Sequence, residues 1–381
     1  MAEPLPAKFP PFRHLAYINN LRAELSQPLI YNLSDSCAET CTVGELLALD
    51  DSYKFEDIPL SYAPLQGSEA MRTAIADMHQ ALNVDEINAH QVVTYSGAQE
   101  GIFGVFNALL APNDEEICFT PNYPSLTELP KQLGAKVIEI PLKFEQNWQF
   151  DIQAVKTAIN DKTKLIVINS PHNPTGALLT HPQAQELIAL ANKHGLYILA
   201  DEVSVFSDYY QLNLNYGFLD YPRTVSISVM SKSFGLAGVR VGWAICKDDA
   251  LRQKLLNIKG YGSICGSASD DALATIAIHN HQQIFNRNNE QIRDNIDLFE
   301  QLVAHSNGKL QWHAPKAGIM SVVKLGEELN VDKLALDLAK QHQTLMLPGH
   351  LFGIEGNYFR LGLGKANFKT CLKGLERLIN G

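Results

Sequence analysis

The chain has 381 residues, of which 46% are hydrophobic, and it carries a formal net charge of -10. A chain of this length can form one large and one smaller domain, each with a sizeable apolar core. The acidic excess argues against general binding to nucleic acid or to acidic membrane surfaces, so any anion site has to be local. The first residues lack the pattern of a secretory signal, and no stretch approaches about 18 uninterrupted apolar residues, so we expect a cytoplasmic protein that does not bind membranes.

The six cysteines show neither the paired spacing of a zinc site nor the density of a small disulfide framework. We therefore expect reduced thiols and no metal site. This expectation agrees with a cytoplasmic location.

Between residues 90 and 247, short apolar runs alternate with stretches of helical periodicity. The runs predict strands that are apolar on both faces: QVVTYS, EEICFT, AKVIEI, KLIVINS, LYILAD, TVSISVM and RVGWAIC. Three intervening stretches predict helices: QEGIFGVFNALL, DIQAVKTAI and PQAQELIALANKHG, the last of which should end at Gly195. This alternation predicts an α/β domain with a mostly parallel central sheet between helices.

The pattern changes after about residue 265. A long polar helical stretch (275–305) precedes GIMSVVKL, a second helix near 331–342, and NYFRLGLG with a last helix. We therefore expect a large domain over 46–265 and a smaller α+β domain over 266–381. The N-terminal segment, 1–45, is expected to pack with the small domain.

Ligands of open α/β sheets bind beyond the carboxyl ends of the strands, so the residues that follow each strand are the candidates for function. In TYSGAQEG, Gly97 permits a tight turn and the amides of Ala98 and Gln99 open a helix, which suits a phosphate. A plain strand-to-helix turn is the alternative. The chain has neither a GxGxxG fingerprint nor a Walker A loop, which argues against a nucleotide-binding dehydrogenase.

Two further strand ends carry aromatic or amide side chains. TPNYPSL places Tyr123 between prolines, where its ring can stack on a flat ligand or pack beneath the turn. HNPTG fixes Asn173 in a turn, where its amide can donate to a ligand oxygen or cap the turn itself. His172, beside it, is expected to be a solvent-facing or hydrogen-bonding loop residue.

The charged strand ends complete the pattern. Asp201 ends LYILAD and needs a partner or a cap, because a buried carboxylate is costly. In SKSFGLAGVRVG, Lys232 beside the sheet can serve as an amine nucleophile, and the planar fork of Arg240 suits a phosphate or carboxylate. Each residue alone is ordinary. Together, a phosphate cradle, a stacking ring, an amide donor, a carboxylate and an imine-forming amine meet the demands of pyridoxal 5'-phosphate (PLP).

From YAPLQGSEAMR to YFRLGLG, the chain resembles the class I and II aminotransferases of PLP fold type I. The resemblance implies that Lys232 is the Schiff-base lysine. It also implies that Arg240 binds the cofactor phosphate, helped by Ser231 and the amides of Ala98 and Gln99.

The same resemblance assigns the other roles. Asp201 keeps the pyridine nitrogen protonated, Tyr123 stacks on the ring, and Asn173 donates to the ring hydroxyl and also lies near the substrate. Tyr62 of YAPLQG reaches the phosphate of the other subunit, which implies a homodimer. Arg360 of FRLGLG clamps the substrate α-carboxylate. Lys232, Asp201 and Tyr123 are then the catalytic group.

Two further segments are candidates for the substrate side. LPGHLFG (347–353) resembles the active-site loop of the family, and the cluster SDSCAETC (34–41) could lie near the substrate. Neither has a spacing that identifies the substrate side chain.

The expected reaction is a transamination between an amino acid and a keto acid. The amino acid displaces Lys232 from the cofactor aldehyde, Arg360 orients its carboxylate, and the freed lysine amine moves the Cα proton to C4'. A PLP-dependent lyase, cyclase or oxidase is the alternative, for example one that acts on an arginine derivative as capreomycidine synthase does. A non-catalytic binding protein is disfavoured because Lys232, Asp201 and Arg360 are all present.

Two departures from the family pattern bear on that alternative. Ser204, a shorter cofactor-binding side chain, stands where the family usually has a tyrosine. Val229 stands where a serine often contacts the phosphate. The first change could alter the electronics of the ring and hence the reaction.

Overall fold

The computed structural model describes residues 9–50, 54–81 and 86–380, which form twelve α-helices and thirteen β-strands. The strands are β1 (Tyr31–Asn32), β2 (Val92–Tyr95), β3 (Glu115–Thr120), β4 (Lys136–Pro141), β5 (Thr163–Asn169), β6 (Tyr197–Asp201), β7 (Thr224–Val229), β8 (Gly242–Cys246), β9 (Leu310–Trp312), β10 (Met320–Leu325), β11 (Thr344–Leu345), β12 (Leu347–Pro348) and β13 (Tyr358–Gly362). The helices are α1 (Arg13–Glu24), α2 (Val43–Leu47), α3 (Glu69–Ala81), α4 (Ala98–Leu109), α5 (Ser125–Gln132), α6 (Ile152–Ala158), α7 (His181–His194), α8 (Asp249–Tyr261), α9 (Ala268–His279), α10 (His281–His305), α11 (Val331–His342) and α12 (Phe368–Asn380).

The central sheet has seven strands in the order β2-β8-β7-β6-β5-β3-β4. Every apolar run predicted as a strand forms one of them, and the predicted α/β architecture is confirmed. The sheet is parallel from β7 to β4, whereas β8 is antiparallel to both β7 and β2. The reversal follows from the chain, because no crossover helix lies between β7 and β8 to return the chain to the same end.

Alternate residues of the central strands enter two separate hydrophobic clusters. Ile166 and Ile168 pack with α6 and α7 on one face. Leu165 and Val167 pack with α4, α5 and α8 on the other. Because both faces are covered by helices, β5 is apolar at four successive positions, 165–168. The carboxyl edge of the sheet is left as the place for a ligand.

Helix α7 shows how local signals bound these elements. Thr180 accepts a hydrogen bond from the Gln183 amide, and the Gln183 side chain bonds back to the amide of Thr180. At the other end, Gly195 takes a left-handed conformation and closes the helix as predicted. The flanking strands β5 and β6 are thereby joined by a crossover of fixed length.

The C-terminal half contains a four-stranded antiparallel sheet in the order β12-β13-β10-β9. The single long helix predicted over 275–305 is instead two helices, α9 and α10, that meet at Asn280. In the N-terminal segment, β1 pairs in parallel with β11. No helix in the described ranges is long and apolar enough to cross a membrane.

The division into 1–45, 46–265 and 266–381 stays a prediction. The packing gives one relevant detail, which concerns α9 just beyond the boundary. Leu273, Ile276 and Ile278 of α9 share a hydrophobic cluster with Met71 and Ile75 of α3. This helix therefore contributes to a core on the N-terminal side of residue 265.

Candidate active site

Three neighbouring parallel strands each place a polar residue at the same edge of the central sheet. Asn173 follows β5, Asp201 ends β6, and Lys232 follows β7. Asn169, which ends β5, organises the first two positions. Its Nδ2 donates to the Asp201 carbonyl at 3.0 Å, and its Oδ1 accepts from the Asn173 amide at 2.6 Å. The sequence analysis missed Asn169, although it lies four residues before Asn173.

Asp201 is a buried carboxylate, with 3% of its surface exposed. Burial raises its pKa to about 6, while a hydrogen bond from the Val203 amide at 3.3 Å and the charge of Lys232 act in the opposite direction. A cationic group beside this buried carboxylate would be strongly stabilised.

Lys232 contacts the N-terminal segment as well as the sheet. Its Nζ donates to Ser36 Oγ at 2.8 Å, and its carbonyl accepts from the Ala38 amide at 3.0 Å. Ser36 belongs to the 34–41 cluster, whose polar composition was the only sequence signal for it. The segment thus lies directly against the amine.

Arg240 lies beside the N-terminus of α4. Its Nη1 donates to the Ala237 carbonyl at 3.1 Å, and its Nη2 lies 3.5 Å from the Ser96 carbonyl. Gly97 has a φ of 87°, a backbone conformation that favours glycine, and a Cβ there would lie 2.6 Å from Nη2. The guanidinium and the first amides of α4, at Ala98 and Gln99, together favour an anion.

Arg360 is buried in β13, on the C-terminal sheet. Its Nη2 donates to the Ser34 carbonyl at 2.8 Å, its Cζ lies 4.4 Å from the centroid of the Phe352 ring, and its Nε has no partner in the described part of the chain. Burial lowers its pKa to about 10, partly offset by the charge of Asp35. A desolvated guanidinium with a free donor is a strong site for a carboxylate.

Tyr123 connects the groups electrostatically. Burial raises the pKa of its phenol; a hydrogen bond with Ser125 lowers it, as do the charges of Arg360 and Arg240, while the charge of Asp201 adds to the rise. The residues predicted separately from different strand ends therefore act on one another. Ser231, next to Lys232, is half-buried at the same edge.

Three buried polar atoms at this edge have no hydrogen-bond partner within the described residues: Asn173 Oδ1, Ser204 Oγ and His172 Nε2. Burial lowers the pKa of His172 to about 3, so it is a buried neutral side chain and not a solvent-facing one; its Nδ1 lies 2.8 Å from Thr175 Oγ1. Val229 is buried in the sheet core and offers no polar group.

Tyr62 is not brought to this site. Its side chain is 87% exposed on the surface of the chain. The role implied for it concerns a second subunit and stays a prediction.

The fold and this arrangement define a PLP-dependent enzyme of fold type I. The sequence profile of class I and II aminotransferases matches residues 58–378, and the chain belongs to this family. It is a PLP-dependent transferase, as the sequence analysis expected.

Named relatives give the same result. The chain is 30% identical to an arginine–pyruvate transaminase of Pseudomonas aeruginosa, over 79% of this chain and 77% of the relative. It is 28% identical to a capreomycidine synthase of Streptomyces vinaceus, over 87% and 84%. A PLP-dependent aminotransferase from Streptococcus suis has a similar structure, with a TM-score of 0.88, 27% identity and 98% of each chain covered. Because transaminases stand beside the synthase, the lyase, cyclase or oxidase alternative is not favoured.

The described residues fit PLP in chemical terms. The cofactor carries a phosphate, a basic ring nitrogen, a ring hydroxyl and an aldehyde. Arg240 at the α4 N-terminus suits the first, and the buried carboxylate of Asp201 suits the second. The unpaired polar atoms of Asn173 and Ser204 suit the ring hydroxyl, and the amine of Lys232 suits the aldehyde.

Proposed function

We propose that Lys232, Asp201 and Arg360 carry the aminotransferase reaction of this chain on an α-amino acid with a free α-carboxylate. The observation that supports this most is the convergence of an amine, a buried carboxylate and an amide from β7, β6 and β5 at one sheet edge. No other part of the described chain combines these groups with a buried guanidinium.

When bound, PLP supplies an aldehyde that takes up amino groups and a ring that accepts electrons from the adjacent bond. Lys232 provides the amine that binds the aldehyde and, once displaced, moves the proton between the substrate Cα and the cofactor C4'. Ser36 Oγ, at 2.8 Å, orients that amine. Asp201 holds the proton on the ring nitrogen, because its buried carboxylate gains most from a cationic neighbour.

The remaining residues position the cofactor. Arg240, with the α4 amides behind Gly97, binds the phosphate; Ser231 assists. Tyr123 would stack on the cofactor ring, and Asn173 would donate to its hydroxyl. Ser204 stands where the family usually has a longer tyrosine, so Asn173 would be the main partner of that hydroxyl.

Arg360 orients the substrate through its α-carboxylate. Its free Nε and its low accessibility make the ion pair strong, because little water competes for the guanidinium. The Ser34 carbonyl accepts a hydrogen bond from Nη2 of Arg360 and so fixes the plane of the guanidinium.

Arginine is the first amino acid to test as substrate. One relative supports this choice, because it is named an arginine–pyruvate transaminase. Pyruvate is the matching keto acid. A neutral α-amino group and a free carboxylate are required in either case.

We also propose a homodimer in which Tyr62 serves the cofactor of the other subunit. Its support is the resemblance together with the 87% exposure of a large aromatic side chain. Mixed dimers of Tyr62→Ala and Lys232→Ala protomers test it. Only a tyrosine that acts across the interface restores activity, to about a quarter of the wild-type value for random mixing. Mixtures as inactive as their parents would contradict the arrangement.

A cytoplasmic location remains part of the proposal. All six cysteines are free thiols in the structure, which suits a reducing compartment. Fractionation of cells that express the native chain tests this location.

The decisive measurement is the visible absorption of the PLP-loaded protein during single addition of L-arginine, L-aspartate or L-alanine without a keto acid. Transamination converts the imine band to that of the pyridoxamine form and releases one keto acid per site. The band must be absent in Lys232→Ala and retained in the control Lys193→Ala, which changes an exposed lysine at the end of α7. Ammonia release, oxygen uptake or a cyclised product without pyridoxamine formation would overturn the transamination.

A further inference from the structure

His14, in the first turn of α1, packs against residues of the candidate site although it belongs to no motif. Its ring stacks on Phe352, with centroids 5.4 Å apart and planes inclined by 26°, and it meets the Phe12 ring edge-on at 4.9 Å. Phe12 in turn lies 5.7 Å from the ring of Tyr123. The start of the N-terminal helix thus closes over this side of the site.

Ring contacts with Phe352 and Phe12 hold the imidazole in place. Its Nδ1 is buried and has no hydrogen-bond partner in the described ranges of the chain. Leaving a buried nitrogen without a hydrogen bond costs free energy, so such an atom usually has a hydrogen-bond partner. The stacking on Phe352 and Phe12 fixes the ring plane and hence the direction in which that partner must lie.

The surroundings of His14 decide its protonation state and hence which hydrogen bonds its ring can make. The Phe352 ring that stacks on His14 also carries the Arg360 guanidinium at 4.4 Å. Burial, and then the charges of Arg360 and Lys232, lower the pKa of His14 to about 4, so the ring is neutral in the working pH range. A neutral imidazole both accepts and donates one hydrogen bond.

In the proposed function, Lys232 and Arg360 engage the parts that every amino acid shares, namely the amino-bearing carbon and the α-carboxylate. His14 stacks on the same Phe352 ring as the Arg360 guanidinium and touches Phe12, which neighbours Tyr123, so it lies close to where the third substituent of that carbon, the side chain, would lie. His14 is therefore in a position to distinguish one amino acid from another.

We propose that His14 is a specificity-determining residue whose Nδ1 hydrogen-bonds the polar end of the substrate side chain. This inference rests on the proposed function of the same site. It predicts a preference for amino acids with a hydrogen-bonding side chain over aliphatic ones, because an apolar side chain leaves Nδ1 buried and unpaired.

The test compares three variants in the PLP-loaded protein. His14→Leu keeps the apolar contacts and removes the hydrogen bond. His14→Asn keeps a polar atom near the position of Nδ1, and His14→Gln keeps one near that of Nε2. Rates and KM values of the half-reaction are measured with L-arginine, L-glutamine and L-aspartate, and with L-alanine and L-norleucine as apolar references.

We expect His14→Leu to lower kcat/KM for the preferred polar amino acid about five- to tenfold, mainly through KM, and to leave the values for alanine and norleucine nearly unchanged. His14→Asn should recover more of the polar preference than His14→Gln. The imine absorption band should be the same in all variants, because the ring contacts of His14 are with Phe12 and Phe352 and not with Lys232, Asp201 or Arg240.

Three outcomes would overturn the inference. One is an equal loss for polar and apolar amino acids, which would indicate a structural or carboxylate-binding role. Another is a wild-type preference for norleucine over every polar amino acid. The third is better rescue by His14→Gln than by His14→Asn. If the wild-type protein converts no amino acid at all, the proposed function fails first, and the imine band of the unreacted protein separates that result from a loss of folding.

Discussion

The two sides of the site are built in different ways. The sheet side consists of residues that follow or end β5, β6 and β7, so its spacing is that of adjacent strands. The substrate side brings together the N-terminal helix, the 34–41 segment and β13, and its hydrogen bond between Arg360 and Ser34 joins residues 326 positions apart. In the proposed function, the sheet positions the groups for cofactor chemistry, whereas long-range packing positions the groups for substrate choice.

The strongest test of this separation is Arg360 on the substrate side. Arg360→Met should lower kcat/KM about 100-fold, because a desolvated ion pair with the α-carboxylate is lost. Arg360→Lys keeps the charge without the fork and should recover about tenfold. The imine band should be unchanged in both, as measured by absorption of the PLP-loaded protein.

The matched control uses the amine that corresponds to the substrate without its carboxylate. Its slow conversion should be equal in the wild type and in Arg360→Met. A loss of the imine band in Arg360→Met would mean that the two sides are not independent.

A substitution of Ser36 should have a smaller effect. Ser36 belongs to the substrate side of the site, but it contacts the Lys232 amine of the sheet side at 2.8 Å. Ser36→Ala should lower kcat about three- to tenfold, because the hydrogen bond that orients the Lys232 amine is lost. Steady-state kinetics of the PLP-loaded protein measure this effect. Thr40→Ala changes an exposed hydroxyl in the same segment and should leave kcat unchanged.

A kcat of Ser36→Ala equal to that of the wild type would show that this contact does not orient the amine.

The smallest expected effect on activity concerns the sheet itself. Glu116 in β3 is fully buried, and both its carboxyl oxygens lack partners within the described residues. Burial raises its pKa well above 4.5; the charge of Lys131 opposes this rise and that of Glu139 adds to it. Above pH 4.5 the unfolded chain releases this proton while the folded protein keeps it, so stability falls as pH rises toward the folded-state pKa.

Glu116→Gln removes that penalty. Denaturant titrations measure the free energy of unfolding. The difference between the variant and the wild type should increase in favour of the variant by up to about 1.4 kcal/mol per pH unit above pH 4.5, with unchanged kcat. Glu115→Gln is the opposite control. A hydrogen bond from Asn160 lowers the pKa of Glu115, so that carboxylate stabilises the fold above its unfolded-state pKa and its loss should destabilise the protein at neutral pH. A pH-independent difference for Glu116→Gln would show that the carboxyl is not buried as a neutral group.

The strands of the central sheet and their polar ends were predictable because each signal is local. An apolar run followed by Asp201, or by the turn around Asn173, reports both the strand and the candidate residue within ten positions or fewer. The residues on the sheet side could therefore be proposed from the sequence, although their roles still rest on the resemblance and on the chemistry of the site.

Other features had no local signal of this kind. Helix α5 contains Pro130, which masks its periodicity, and α9 and α10 follow one another without a breaker stronger than Asn280. His14 and Phe352 meet only in the folded chain, about 340 residues apart in sequence, as their numbering shows. No spacing rule identifies such a pair, because nothing local distinguishes His14 from any other histidine in an amphipathic helix.

The close approach of the 34–41 segment to both halves of the molecule has a mechanical consequence. Its Ser34 carbonyl is bonded to Arg360, and its Ala38 amide is bonded to the Lys232 carbonyl. A Cβ on Gly362 would lie 1.9 Å from the Asp35 carbonyl oxygen. The two backbones are therefore in direct contact there, and no flexible side chain lies between them. A short segment that is hydrogen-bonded to both halves of the molecule cannot move with one half alone. Any tilt of the C-terminal sheet that draws Arg360 toward a carboxylate would therefore pull on the loop that carries the lysine.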